Sequence, residues 1–189
     1  MKKIIGSIVL KILGWKIVPD GDLNQLDRCI LVEAPHTSNW DYLIGVMMFW
    51  KLGKRLKVII KDSHTKAFYG GIIKSIGAIG IDRSKKNHLV ETVTEEFNSG
   101  KKFSLVITPE GTRSYVKKWK LGFYYMAKQA RVPIVLAAGD YKHKVGKIGH
   151  LISVEDLETR SMESILDEIE DYFKDITAKH PENYNPKIY

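Results

Sequence analysis

A single cysteine, Cys29, means that no intrachain disulfide can form, so stability must come from a packed core and a reducing compartment is compatible. Long apolar runs are also absent: no stretch reaches the roughly 18 to 20 uninterrupted apolar residues that a helix needs to span a bilayer. The most hydrophobic terminus, 1–18, is interrupted by Lys11 and Lys16 and followed by no small-residue cleavage site, which argues against a signal peptide. There is no Gly-x4-Gly-Lys-Ser/Thr phosphate loop and no Gly-x-Ser-x-Gly elbow, which speaks against an ATPase and a serine esterase. Internal repeats, low-complexity runs and a domain linker are missing too.

What is present suits one globular domain. The 189 residues are 44% hydrophobic and 28% charged, and a domain of this size buries roughly 70% of the surface its unfolded chain exposes. The formal charge of +8 favours anionic partners such as phosphate groups, acidic headgroups, coenzyme A or nucleic acid. The arginines are not gathered on one basic helix and aromatics do not alternate with them, so no nucleic-acid partner is expected. Cys29 sits in the apolar run Cys29-Ile30-Leu31-Val32 and reads as a buried strand residue rather than a nucleophile.

Ile4, Ile5, Ile8, Val9, Ile12 and Leu13 recur at helical spacing beside Lys2, Lys3 and Lys11. This N-terminal amphipathic helix, within 1–20, either lies in a headgroup layer or packs on the domain's own core, and Trp15 tilts the choice toward the interface. The remainder, 21–189, alternates strands (28–34, 58–60, 79–81, 103–107, 134–138) with helices (42–50, 65–75, the segment around Leu89 to Phe97, 122–130). A hairpin-like region at 144–149, a strand at 151–154, a closing helix at 162–176 and a loosely docked tail at 181–189 follow. This pattern predicts an α/β fold with a mixed, largely parallel sheet flanked by helices, whose sites form at the carboxyl ends of strands.

Three strand ends carry chemistry-bearing side chains. Pro35-His36-Thr37-Ser38-Asn39-Trp40-Asp41 follows the first buried strand; on a straight helix His36 and Asp41 would lie about 140° apart, so they meet only if the chain turns between them. If they meet, Asp41 fixes the imidazole tautomer while His36 takes a proton from an alcohol. The structural alternative makes Asp41 a helix cap and His36 a satisfied loop residue. Thr108-Pro109-Glu110-Gly111-Thr112-Arg113-Ser114 is either an anion-binding turn or a plain polar strand end. Asp82-Arg83 places another arginine past a strand, or forms a surface ion pair.

Together these blocks resemble the 1-acylglycerol-3-phosphate (lysophosphatidic acid) and glycerol-3-phosphate acyltransferase superfamily, whose four motifs occur in this order. His36 and Asp41 match its His-x4-Asp block, with Ser38 also fitting. Gly77, Ile81, Asp82 and Arg83 match the second block, Pro109 to Ser114 the third, and Val132 to Val135 the fourth. The resemblance covers roughly residues 30–138. It implies that His36 is the general base and Asp41 its partner. By the same resemblance Arg83, Glu110, Gly111, Thr112 and Arg113 bind the acceptor's polar end, and Lys61 matches a basic residue between the first two blocks. Pro35, Thr108 and Leu136 depart from the family's usual residues and leave the acceptor open.

The resemblance implies an O-acyltransferase that moves a fatty acyl group from acyl-CoA or acyl-carrier protein to a lyso-lipid hydroxyl, by default 1-acylglycerol-3-phosphate. No metal and no resident cofactor is implied, the thioester being a co-substrate. The expected location is the cytoplasmic face of a membrane carrying anionic lipids, in peripheral or monotopic attachment. A lyso-aminolipid or another lyso-phospholipid is the alternative acceptor. Two other classes remain: a metal hydrolase using His36, Asp41 and Glu110 as ligands, which lacks a second histidine at helical spacing, and a basic lipid-binding module without catalysis.

Overall fold

The computed structural model describes residues 1–71, 77–81 and 88–189. Arg83 and much of the helix expected at 65–75 therefore lie outside the described residues. The strands are β1 (Lys16–Pro19), β2 (Arg28–Glu33), β3 (Leu56–Lys61), β4 (Ala78–Ile81), β5 (Phe103–Ile107), β6 (Ile134–Asp140) and β7 (Val145–Ile152). The helices are α1 (Lys2–Leu13), α2 (Asn39–Leu52), α3 (Asp62–Lys66), α4 (His88–Asn98), α5 (Gly122–Ala130), α6 (Val154–Thr159) and α7 (Met162–Phe173). The strands form one seven-stranded sheet in the order β1-β7-β6-β2-β5-β3-β4, in which only the β6–β7 pairing is antiparallel. The expected mixed, largely parallel α/β fold is the one observed.

Both sheet faces are covered, which is why β2, β5 and β6 read as continuous apolar runs. On one face Ile30, Val32, Leu105 and Ile134 pack with Phe97, Phe123, Leu166 and Phe173 from α4, α5 and α7. On the other, Cys29, Leu31 and Val135 pack under Phe49 of α2. Helix α2 is apolar on nearly every side because it lies between the sheet and α1, which packs against it through Leu10. Gly6 permits that approach: a Cβ there would stand 2.5 Å from the Met47 carbonyl oxygen. The opposite face of α1 leaves Ile4, Ile8 and Ile12 between 53% and 78% exposed.

Four expectations need correction. Trp15 is not at an interface; it is buried and meets Tyr141 edge to face at 5.0 Å. The segment 1–20 is not helix alone: α1 ends at Leu13 and strand β1 follows, its burial too slight for hydrophobic periodicity to reveal it. The 144–149 region and the strand at 151–154 are one continuous strand, β7, returning antiparallel to β6. The tail is firmly docked: the Trp119 N–H donates to Ile188 O at 3.0 Å, Asn185 Nδ2 donates to Val116 O and Lys117 O at 3.2 and 3.1 Å, and Ile188 is 1% exposed.

Candidate active site

Strands β6, β2 and β5 are neighbours running in the same direction, so the loops after Asp140, Glu33 and Ile107 open side by side. This parallel register brings His36, Glu110 and Tyr141 together although the sequence separates them widely. The chain turns at Pro35, whose peptide bond is cis, and enters α2 through a capping box. Ser38 Oγ accepts from the helix's first turn, while Asp41 Oδ2 accepts the N–H groups of Thr37 and Ser38, both at 2.8 Å.

The capping and the base–orienter readings therefore describe the same residue. Asp41 caps α2, and its Oδ2 also lies 3.4 Å from His36 Nδ1. Tyr141 OH donates to the other oxygen, Oδ1, at 2.5 Å. The carboxylate is thus fixed from three sides and its side chain is only 4% exposed, whereas the His36 side chain keeps 20% exposure. Nδ1 is buried and has no hydrogen-bond partner of good geometry, so its nearest acceptor is Asp41, and Nε2 is left as the nitrogen available to a substrate.

Burial opposes protonation of His36, but Asp41 together with the charges of Glu33 and Glu110 outweighs it and holds the imidazole above its ordinary value. Asp41 is the converse case. Burial would raise its pKa, yet His36, Tyr141 and the two backbone donors keep it below the usual carboxylate range. Tyr141 is pushed far upward by burial and by Asp41, so it stays a donor.

Glu110 is 3% exposed, and its Oε1 accepts the His36 backbone N–H at 2.8 Å. Burial raises its pKa, against the pull of the His36 N–H, and Oε2 has no hydrogen-bond partner among the described residues. Gly111 follows with φ 66°, and a Cβ there would stand 2.6 Å from Lys120 Nζ, which lies across the turn. Thr112 and Arg113 are exposed at the rim; Thr112 Oγ1 accepts from Ser114 N at 3.3 Å, and Arg113 donates to Asn39 in the first turn of α2. The Lys61 backbone closes β3, while its side chain and all of Arg83 lie outside what is described.

Two participants escaped the sequence reading. Tyr141 is the first residue past β6, and the strand-end rule that selected His36 and Glu110 would have selected it too. Glu33 is the last residue of β2 and lines an apolar pocket between α2 and the sheet with Leu31, Ile44, Met48, Val106 and Ile148. The pocket reaches Asp41 and Tyr141 and is narrow, about 40 Å³. Burial lifts the Glu33 carboxyl to about 7.

The sequence model of the acyltransferase family matches residues 18–138, which contain His36, Asp41, Glu33 and Glu110 but not Tyr141. The chain belongs to the acyltransferase family. Among curated relatives of this acyltransferase-family chain, a probable 1-acyl-sn-glycerol-3-phosphate acyltransferase of Mycoplasma pneumoniae is 29% identical over 83% of the chain and 59% of its own length. The 1-acyl-sn-glycerol-3-phosphate acyltransferases of Saccharomyces cerevisiae and Cocos nucifera are 33% and 30% identical, over 65% and 70% of the chain and 42% and 44% of their own lengths. The chain thus spans about two fifths to three fifths of the curated relatives it matches. The fold is similar to that of the 1-acyl-sn-glycerophosphate (LPA) acyltransferase PlsC of Thermotoga maritima, with a TM-score of 0.60 and 16% identity over 92% of this chain and 75% of that one.

Proposed function

We propose that the chain transfers a fatty acyl group from an acyl-CoA or acyl-carrier-protein thioester to the hydroxyl of a lyso-lipid, with 1-acylglycerol-3-phosphate as the default acceptor. The observation that carries this reading is the His36 Nδ1 edge buried against the Asp41 carboxylate, with Nε2 left for a substrate. In the reaction Nε2 removes the acceptor's hydroxyl proton as its oxygen bonds to the thioester carbonyl carbon. The carbon–sulfur bond then breaks, and the imidazolium returns the proton to the departing thiolate, giving an ester and a free thiol. Asp41 stabilises the imidazolium in between, and base assistance of this kind is worth about 10² to 10⁴ in rate.

Glu110 acts from beneath by holding the His36 backbone, while Arg113, Thr112 and, by family resemblance, Lys61 and Arg83 attract the acceptor's phosphate. The apolar pocket suits the acyl chain. Its narrowness requires a wall that yields, and Met48, unbranched and seated over Gly146, is such a wall. No helix among the described residues is long and apolar enough to cross a membrane. The exposed isoleucines of α1, flanked by Lys2, Lys3 and Lys11, suit an anionic bilayer surface, which on this reading is the cytoplasmic face.

The test is a matrix of acyl-CoA and acyl-carrier-protein donors against lyso-phospholipid and lyso-aminolipid acceptors, with products read by mass spectrometry. A new ester with one acceptor names the substrate. Absence of product from every pair, with vesicle binding retained, would instead support a lipid-binding module.

A further inference from the structure

Side chains of β2 alternate between the two sheet faces: Ile30 and Val32 enter one core, Cys29 and Leu31 the other beneath α2. Glu33 falls on the α2 side, where this series leads to another apolar residue, and it lines the pocket instead. Its Oε1 faces Gly45 of α2, where a Cβ would stand 3.6 Å away, in ordinary contact. No described residue forms a hydrogen bond or ion pair with the Glu33 carboxylate. Of the polar groups that line the pocket with it, Asp41 is engaged by Thr37, Ser38 and Tyr141, and Tyr141 by Asp41, while Tyr42 and Lys147 form no hydrogen bond or ion pair with Glu33.

The Glu33 carboxylate is half-buried and still reaches solvent, but a chain filling the pocket would take that solvent away, and a carboxylate covered by apolar atoms without a partner is costly. Glu33 stands three residues before His36, and its charge is among those acting on the imidazole. It therefore lies toward the reactive end of the pocket. An unsubstituted chain would cover the carboxylate and leave it unpaired. A chain carrying a hydroxyl would satisfy it, and sites built to bond a hydroxyl discriminate strongly against analogues that lack one.

We infer that Glu33 is a specificity-determining residue that accepts a hydrogen bond from a hydroxyl carried near the carboxyl end of the acyl chain, so that the favoured donors are hydroxyacyl thioesters. This rests on the reading of the pocket as the acyl site. Both oxygens of an ionised Glu33 accept, and a protonated one still offers its carbonyl oxygen, so the preference holds on both sides of neutral pH.

The test uses the full chain with an equimolar mixture of palmitoyl, 2-hydroxypalmitoyl and 3-hydroxypalmitoyl thioesters, as CoA and as carrier-protein conjugates, with 1-acylglycerol-3-phosphate as acceptor. The wild type should transfer one of the hydroxyacyl groups at least about 10-fold faster than palmitoyl. Glu33→Gln, isosteric and still able to accept, should narrow the ratio, and Glu33→Leu should abolish or reverse it. Equal or faster palmitoyl transfer by the wild type, or a hydroxyacyl preference that survives in Glu33→Leu, overturns the proposal. Calorimetry with the free acids separates this from the catalytic reading. Tighter binding of a hydroxy acid that is lost in Glu33→Leu, without turnover, would keep the pocket assignment and remove the transferase; turnover without preference would do the reverse, and neither would remove both.

Discussion

Tyr141 donates its hydroxyl to Asp41 Oδ1 at 2.5 Å while Oδ2 of the same carboxylate lies 3.4 Å from His36 Nδ1, so one acid is held by the β6 end and faces the β2 loop. Removing the hydroxyl in Tyr141→Phe releases one oxygen of Asp41 and leaves more charge for His36. The expected result is a loss of about 1.5 to 3 kcal/mol of stability, as for hydrogen bonds to charged groups. The acid limb of the kcat/KM profile should also move to higher pH. Thermal unfolding and a pH series on the purified variant measure both.

Asp41→Asn removes the charge that most favours protonated His36. Because that pKa is held above the ordinary 6.5 in the wild type, activity should rise with pH through a midpoint above 6.5. In Asp41→Asn the midpoint should fall and the plateau should drop, since the stabiliser of the imidazolium is gone. A plateau equal to that of the wild type would remove Asp41 from the mechanism.

Glu33 also makes a stability prediction independent of turnover. Its folded-state pKa of about 7 lies above the 4.5 of an unperturbed glutamate. The unfolded chain therefore loses this proton first, and stability declines as pH rises from about 4.5 to 7, then levels off. Glu33→Leu should be stabilising at pH 8 by on the order of 2 kcal/mol, allowing for solvent in the pocket, and by less at pH 4. Denaturant titrations at the two pH values settle it; a gain unchanged between them would mean that the carboxyl titrates normally.

The docked tail predicts that Asn185→Ala, which loses the two hydrogen bonds to Val116 O and Lys117 O, costs about 1 to 3 kcal/mol. A loosely attached tail would show almost none, so chemical denaturation of this one variant distinguishes the two.

For α1, replacing Ile4, Ile8 and Ile12 with Asp should abolish sedimentation with vesicles containing anionic lipid while leaving the melting temperature within a few degrees, because all three are exposed. Binding that persists would place the membrane contact elsewhere.

The sequence was most legible where local chemistry and strand ends coincide. His36, Asp41 and Glu110 stood directly after apolar runs, and the parallel order of β6, β2 and β5 converts that local fact into proximity. Tyr141 and Glu33 were harder because each looks ordinary alone: Tyr141 acquires its role from a carboxylate 100 residues earlier, and Glu33 from a pocket that exists only once α2 covers the sheet. Strand β1 and the tail were illegible for a related reason. Their order comes from backbone pairing with β7 and with the Trp119 loop, which leaves little hydrophobic period to read.

Whether His36 is the base is decided by the rate of ester formation by wild type and His36→Ala at one saturating donor and acceptor pair. Removing the imidazole should lower kcat by about 10² to 10⁴ with unfolding behaviour unchanged. Ester formation by a folded His36→Ala at a rate close to wild type would contradict it.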